Sequence, residues 1–213
     1  MTAQLPAPAT PAFFDDAPAI AVHDALAEFL GAAEGGVVVY RYADAVKLAG
    51  HSCPTVAGAF MMARAALRAL YPEPGQLTER GEIRVDLRDR RDAGVAGVIG
   101  SVLGLVTGAA GDGGFRGIGG RFVRRDRLHF EQPVADGEVR FTRLDDGRSV
   151  AATLHLERVP GDPRMAWAMS RCLGGDALPE EAALFRELWQ DRVRRILVEH
   201  ADDPELVAIA PGS

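Results

Sequence analysis

His51 and Cys53 stand one residue apart in Ala49-Gly50-His51-Ser52-Cys53-Pro54. An imidazole beside a thiol supports two kinds of chemistry. The pair can ligate a transition metal such as zinc, or Cys53 can attack as a thiolate with His51 as its base. Cys53 precedes a proline that suits the first turn of a helix. A thiol at a helix start meets unpaired N–H groups and the positive end of the dipole, both of which favour the thiolate. The plainer reading is that an isolated Cys is a small buried hydrophobe and an isolated His a satisfied polar group.

Elements around the pair must fix it in space. Val56, Phe60, Ala63, Leu67 and Leu70 recur every three to four residues, which predicts a helix held against a core by one stripe. Val37 to Tyr42 is β-rich, and Tyr42 to Leu48 makes a helical approach to His51. Upstream, Ile20 to Gly31 reads as a short helix with Val22, Leu26, Phe29 and Leu30 on one side, and His23 in its first turn as a surface histidine. Glu82 to Arg88 alternates as a half-buried strand, and Ala93 to Val106 reads as a tightly packed helix.

The run Thr107 to Arg121 is rich in glycine and offers backbone N–H groups as an anion nest, or else forms a flexible hairpin or lid. It lacks a Walker lysine. Phe122 to Glu131, Glu138 to Leu144 and Ser149 to Arg158 read as three strands of an antiparallel meander, with turns at Asp136-Gly137 and Asp145-Asp146-Gly147. His129 and His155 fall opposite the aliphatic faces, where histidines are usually solvated. Met165, Met169 and Cys172 recur at helical spacing, with Cys172 read as core. A last helix starts at Pro179, its stripe formed by Phe185, Leu188, Trp189, Val193 and Ile196.

The 213 residues, 47% hydrophobic and 25% charged, suit a single globular domain over 19–200. Residues 1–18, with four prolines, read as an extended arm whose Phe13 and Phe14 dock; 201–213 reads as a loose tail. A net charge of −6 disfavours nucleic acid and anionic membranes as partners. No apolar run approaches the ~20 residues of a membrane span. No basic and apolar leader is visible, and two cysteines make no disulfide framework, so a cytoplasmic location is expected.

Gly50-His51-Ser52-Cys53-Pro54 followed by Thr-Val-Ala-Gly-Ala-Phe resembles the G-H-x-C-P signature of the FmdE-like family, which takes its name from a component of formylmethanofuran dehydrogenase. The fuller signature is H-G-H-x-C-P-G; here Ala49 replaces its first histidine and Thr55 its last glycine. The family's T-G-C followed by Gly-Lys-Gly-Asn is matched by Thr107-Gly108, but Ala109 replaces the cysteine, leaving Asp112 and Arg116 as polar groups on offer. The likeness covers roughly 40–200, including the terminal Leu-Pro-Glu-Glu to Leu-Trp-Gln-Asp-Arg-Val helix. It implies an α+β fold, a mixed or antiparallel sheet with packed helices, akin to the catalytic domain of glyceraldehyde-3-phosphate dehydrogenase. The zinc ribbon that some members append is missing, since the chain has no Cys-x-x-Cys, and two cysteines cannot hold a Cys₄ cluster.

The leading expectation is a metal-binding homodimer with His51 and Cys53 as ligands to zinc or a similar divalent ion. Water, a small-molecule substrate of unknown identity, a second copy of the chain or Asp112 would complete the shell. The alternatives are an enzyme with Cys53 as catalytic nucleophile and His51 as base, the glycine-rich turn cradling an anion, and a non-catalytic dimeric interaction module.

Overall fold

A computed structural model describes residues 10–212. The chain begins with α1 (Phe13–Asp16), β1 (Ile20–His23), α2 (Ala25–Phe29) and β2 (Val37–Tyr40). Two helices, α3 (Tyr42–Ala49) and α4 (Pro54–Leu70), flank the His51 turn. Then come β3 (Thr78–Glu79), β4 (Ile83–Leu87), α5 (Ala96–Thr107) and β5 (Leu128–His129). The last part comprises β6 (Val139–Arg143), β7 (Ser149–Leu154), α6 (Arg164–Gly174), α7 (Pro179–Arg194) and β8 (Val207–Pro211), with a π-helical turn (Arg195–Glu199) extending α7. This is an α+β fold with two mixed sheets and helices packed against them.

The hub is α4. Val56, Ala57, Ala59, Phe60, Met61, Met62, Ala63 and Ala66 are all buried, so its first turns are covered on every side. These turns carry little polar surface and must be enclosed in this way, and α5, β7 and β8 pack against the helix. Gly58 lets β7 approach: a Cβ there would lie 2.6 Å from Leu154 Cδ2. The larger sheet runs β5-β4-β6-β7-β8. Its register puts Val85, Phe141 and Val150 in one row and Leu87, Val139 and Ala152 in the next, on the buried face. Arg143, at the end of the same face, donates to Leu70 O at 3.2 Å and lies over the Tyr71 ring at 4.3 Å, placing a cation at the C-terminus of α4.

Three expectations are corrected. Ile20 to Gly31 is not one helix: Ile20 and Val22 point inward and Ala21 outward as β1, and Asp24 then caps α2. The proposed stripe fails because Phe29 and Leu30 are exposed. Phe122 to Glu131 is not the first leg of a meander. Positive φ at Phe122, Asp126 and Glu131 breaks the extended chain, leaving a two-residue β5 that pairs in parallel with β4. Residues 202–212 are not loose, since β8 adds antiparallel to β7 from Val207 to Pro211. Of the expected arm, residues 1–9 lie outside the described residues. Phe14 in α1 is buried edge-on against Tyr42, 4.9 Å between centroids.

The sheet edges are uneven. In β8, Val207 N–H is taken by Asp203 O at 3.2 Å and Pro211 has no N–H. Edge strands β3 and β5 are two residues each. The remaining edge, β2, exposes the side chains of Val37 and Val39, but its Val37 N–H is likewise taken, by Glu34 O.

The smaller sheet (β2-β1-β3) is tied to the rest by buried charge. Asp24 Oδ1 caps α2 by accepting from the amides of Leu26 and Ala27, and it also accepts from Arg124 Nη2 at 2.7 Å. Its Oδ2 accepts from Arg80 Nη1 at 2.7 Å. Arg80 reaches on to Leu105 O in α5, and Arg124 Nη1 donates to Arg80 O. Gly81, at φ +89, gives Arg124 passage, because any Cβ there would overlap its guanidinium.

Burial alone would raise the Asp24 pKa, but the Arg80 hydrogen bond, the Ala27 amide and the charges of Arg124 and Arg80 hold the carboxyl below its ordinary range. A carboxyl held low contributes stability above its unfolded pKa of about 3.9, and that stability is lost as pH falls through the lower folded value. Asp24→Ala should cost about 3–5 kcal/mol in urea unfolding at neutral pH, because it strands two guanidiniums. Asp24→Asn should lose stability less steeply than wild type as pH falls below about 4. Equal acid dependence of the two would remove Asp24 from the balance.

Candidate functional site

The turn from Gly50 to Cys53 joins two helices whose ends it also closes. Gly50, at φ 77, is the left-handed C-cap of α3 and donates N–H to Val46 O at 2.8 Å. Cys53 is extended (φ −151, ψ 166) and is the N-cap of α4, with Pro54 in the first turn behind it. Its Sγ accepts from the amide of Val56 at 3.4 Å. The sulfur thus takes the place a serine or aspartate oxygen usually holds, and it meets the unpaired amides expected at a helix start. The residue is 7% exposed and belongs to the main core.

Ser52 locks the turn from the other side. Tyr42 Oη donates to Ser52 Oγ at 3.0 Å, and that hydroxyl donates to Gln190 Oε1 at 2.9 Å. Trp189 Nε1 donates to Ser52 O at 2.9 Å, so α7 grips both the side chain and the backbone. Burial pushes the Tyr42 phenol well above its ordinary value against the opposing Ser52 hydrogen bond, so it remains a proton donor throughout the neutral range. The expected α7 stripe is thereby positioned: Val193 and Ile196 are fully buried below the turn.

His51 is exposed. Its Nδ1 lies 3.0 Å from Ala49 O, a geometry in which Nδ1 carries the proton and donates. Nε2 then keeps its lone pair, with no protein partner among the described residues. The ring lines a cavity of about 270 Å³ between α3 and the first turns of α5, walled by Leu48, Ala49, Gly97, Val98, Ser101 and Val102. Neither Cys53 nor Asp112 belongs to that wall.

The three candidate ligands are therefore held differently. His51 faces a cavity and Cys53 caps a helix within the core. Asp112 is exposed on the glycine-rich segment, where Oδ1 accepts from the Gly113 amide at 2.9 Å. Among the described residues no group of three or more His, Cys, Asp or Glu side chains is placed to hold a metal ion. No hydrogen bond joins His51 to Cys53. The nucleophile–base contact of the thiolate reading is not formed in this conformation.

The glycine-rich run is also engaged internally. Thr107 Oγ1 donates to Leu103 O and accepts from Ala109 N–H, while Gly113 and Gly114 give their amides to Asp112 Oδ1 and Gly111 O. Those amides are taken within the run, so an anion nest would have to use others, such as those of Gly117, Gly119 and Gly120. The other histidines are hydrogen-bonded to carboxylates: His23 to Glu79 and Glu28, His129 to Asp86, His155 to Glu157 and His200 to Asp203. Glu79's hydrogen bond leads in raising the His23 pKa. Cys172 is half-buried on α6 and not a core residue. Sequence reasoning missed the Asp24–Arg80–Arg124 cluster; the only signal for it was a glycine at 81 beside an otherwise regular strand.

If capping is what Cys53 contributes to stability, Cys53→Ser should stay closer to wild type in thermal unfolding than Cys53→Ala, which should lose about 0.5–2 kcal/mol. The reverse order would mean that packing of the sulfur outweighs the cap. Among the described residues no helix is long and apolar enough to cross a membrane. Compared with protein-family models and with curated proteins, the sequence matches none.

Proposed function

We propose that the turn before α4 is an open metal site in which His51 Nε2 and Cys53 Sγ bind one zinc or similar divalent ion, as the resemblance to the FmdE-like proteins implies; the sulfur must first leave its capping contact with the Val56 amide and turn toward the imidazole. The observation that carries this reading is the His51 Nδ1 contact with Ala49 O. Metal-ligating histidines are usually oriented by donating their other ring N–H to a carbonyl or carboxylate, which fixes the tautomer and raises the basicity of the free nitrogen. The donor types suit zinc, one borderline nitrogen and one soft sulfur, but two ligands do not close a tetrahedral shell. The remaining positions fall to water, to a small-molecule substrate or to a residue of a second copy, which suits metal-assisted chemistry or metal hand-over in a cytoplasmic homodimer.

The test is elemental analysis of protein loaded with zinc and desalted. Wild type should retain about one ion per chain, and His51→Ala and Cys53→Ser should each lose it. With cobalt in place of zinc, a thiolate-to-metal charge-transfer band should appear in wild type and vanish in Cys53→Ser. Equal metal content in all three proteins would end this reading.

A second reading, a non-catalytic interaction module, draws on α6. That helix buries Ala168 alone and leaves Trp167, Met169 and Leu173 exposed, Leu173 at 81%. Large apolar side chains grouped on one surface helix commonly mark a contact face. A metal-free chain that self-associates, and becomes monomeric on Leu173→Asp in sedimentation, would favour it.

A further inference from the structure

Away from the His51 turn, α4 places Arg64 and Arg68 one helical turn apart, on the same face. Both guanidiniums reach one oxygen: Arg64 Nη1 donates to Asp202 Oδ1 at 2.8 Å, and Arg68 Nη1 donates to the same atom. Arg64 Nη1 also donates to Ala201 O at 2.9 Å. Among the described residues, the fold engages no other donor of either side chain and nothing on Asp202 Oδ2. A guanidinium carries five N–H donors, so most of the pair's hydrogen-bonding capacity is unused. Arg64 is anchored, its side chain 16% exposed, whereas Asp202 is 67% exposed.

The pair stands where two cavities meet. One, of about 750 Å³, is lined by the apolar Met61, Ala65, Ala69, Val207 and Ile209 and also by Asp202, Asp203 and Glu73. Asp203 is bonded to His200 there. The other, of about 220 Å³, shares Arg64, Arg68, Tyr71 and Gln76 with the first and has no carboxylate among its lining residues. Carboxylates thus line the larger cavity, whereas the smaller has only neutral groups beside the two cations. The lining of the larger cavity mixes apolar side chains with polar and charged ones in about equal measure, which suits a ligand with both a charged and an apolar part.

We infer that this cleft binds an amphipathic organic anion, its charged head on Arg64, Arg68 and Gln76 and its apolar body over Met61, Ala65, Val207 and Ile209. Asp202 acts as an internal competitor whose carboxylate occupies the arginine fork until a ligand's anion shares or displaces it. Arginine pairs recognise planar anions through parallel N–H donors, and the unused Nε and Nη2 groups supply them.

The probe is 1-anilinonaphthalene-8-sulfonate, titrated by fluorescence into the full chain. The cleft should give one saturable site. Octanoate should displace the dye, and octanol, which lacks the charge, should not. Arg68→Ala should weaken binding by about tenfold, as expected for loss of a charge-assisted contact. Asp202→Asn should tighten it several-fold, because the competitor loses its charge. Both substitutions fall on exposed side chains, and circular dichroism matching wild type confirms that the variants are folded. Unsaturable dye binding, no displacement by octanoate, indifference to Arg68→Ala, or unchanged or weaker binding by Asp202→Asn would each overturn the inference.

Discussion

The attachment of the smaller sheet depends on one carboxylate that cannot be left alone. Asp24 lies out of water between two guanidiniums, and the three groups come from β1–α2, from the end of β3 and from the segment after the glycine-rich run. An unpaired buried charge costs several kcal/mol, so these segments must arrive together or not at all. Each arginine then spends further donors on backbone carbonyls, one of them in the last turn of α5. The small sheet is therefore fastened to the helical layer by charge as well as by apolar packing. Gly81 and Gly108, the latter in the left-handed conformation that ends α5, leave the narrow path through which Arg124 enters.

That fastening has an effect at the His51 turn. α5 carries the far wall of the His51 cavity at its N-terminal end and is tied to Asp24 through Arg80 at its C-terminal end. On the opposite side α7 grips Ser52 through Trp189 and Gln190. The turn is held from both flanks, and the orientation of the imidazole is set by backbone and not by a neighbouring side chain. A rigid backbone with a solvent-facing imidazole and a helix-capping sulfur divides the two functional groups between surface and core. The same amide that would stabilise a thiolate is also the sulfur's hydrogen-bond partner in the fold.

The sequence made the elements around His51 legible because each has a strong periodic or terminal signal. The α4 stripe, Pro54 at its start, the helical approach from Tyr42 to Leu48 and the alternation of Ile83, Val85 and Leu87 all hold. Misreadings arose where a helical and an extended pattern coincide. Val22, Leu26, Phe29 and Leu30 fit a helix of period 3.6, yet Ile20 and Val22 fit a strand equally well, and only Asp24 as a cap marks the change. Phe122, Asp126 and Glu131 adopt positive φ, which residue type does not announce in a bulky aromatic or a glutamate. Of the site, the position of Cys53 at a helix start was readable from Pro54. Its burial, and the separation of its sulfur from the His51 cavity, depend on tertiary packing of α4 and α5, which spacing along the chain does not encode. The pairing of Arg64 and Arg68 with Asp202, 138 and 134 residues away, is of the same kind.

The uneven sheet edges bear on how copies of this chain could join. Growth of a β-sheet without limit needs two receptive borders, one for each incoming neighbour. Here Asp203 and Pro211 leave Ile209 as the one open outward amide of β8, and the two-residue β3 and β5 give almost no purchase. At β2 the Val37 amide is likewise taken, by Glu34 O, which leaves that of Val39. A border with one open donor cannot hold a ladder of hydrogen bonds, so strand-to-strand joining at these edges gains little, and a fibre built by that route has nothing to lengthen on.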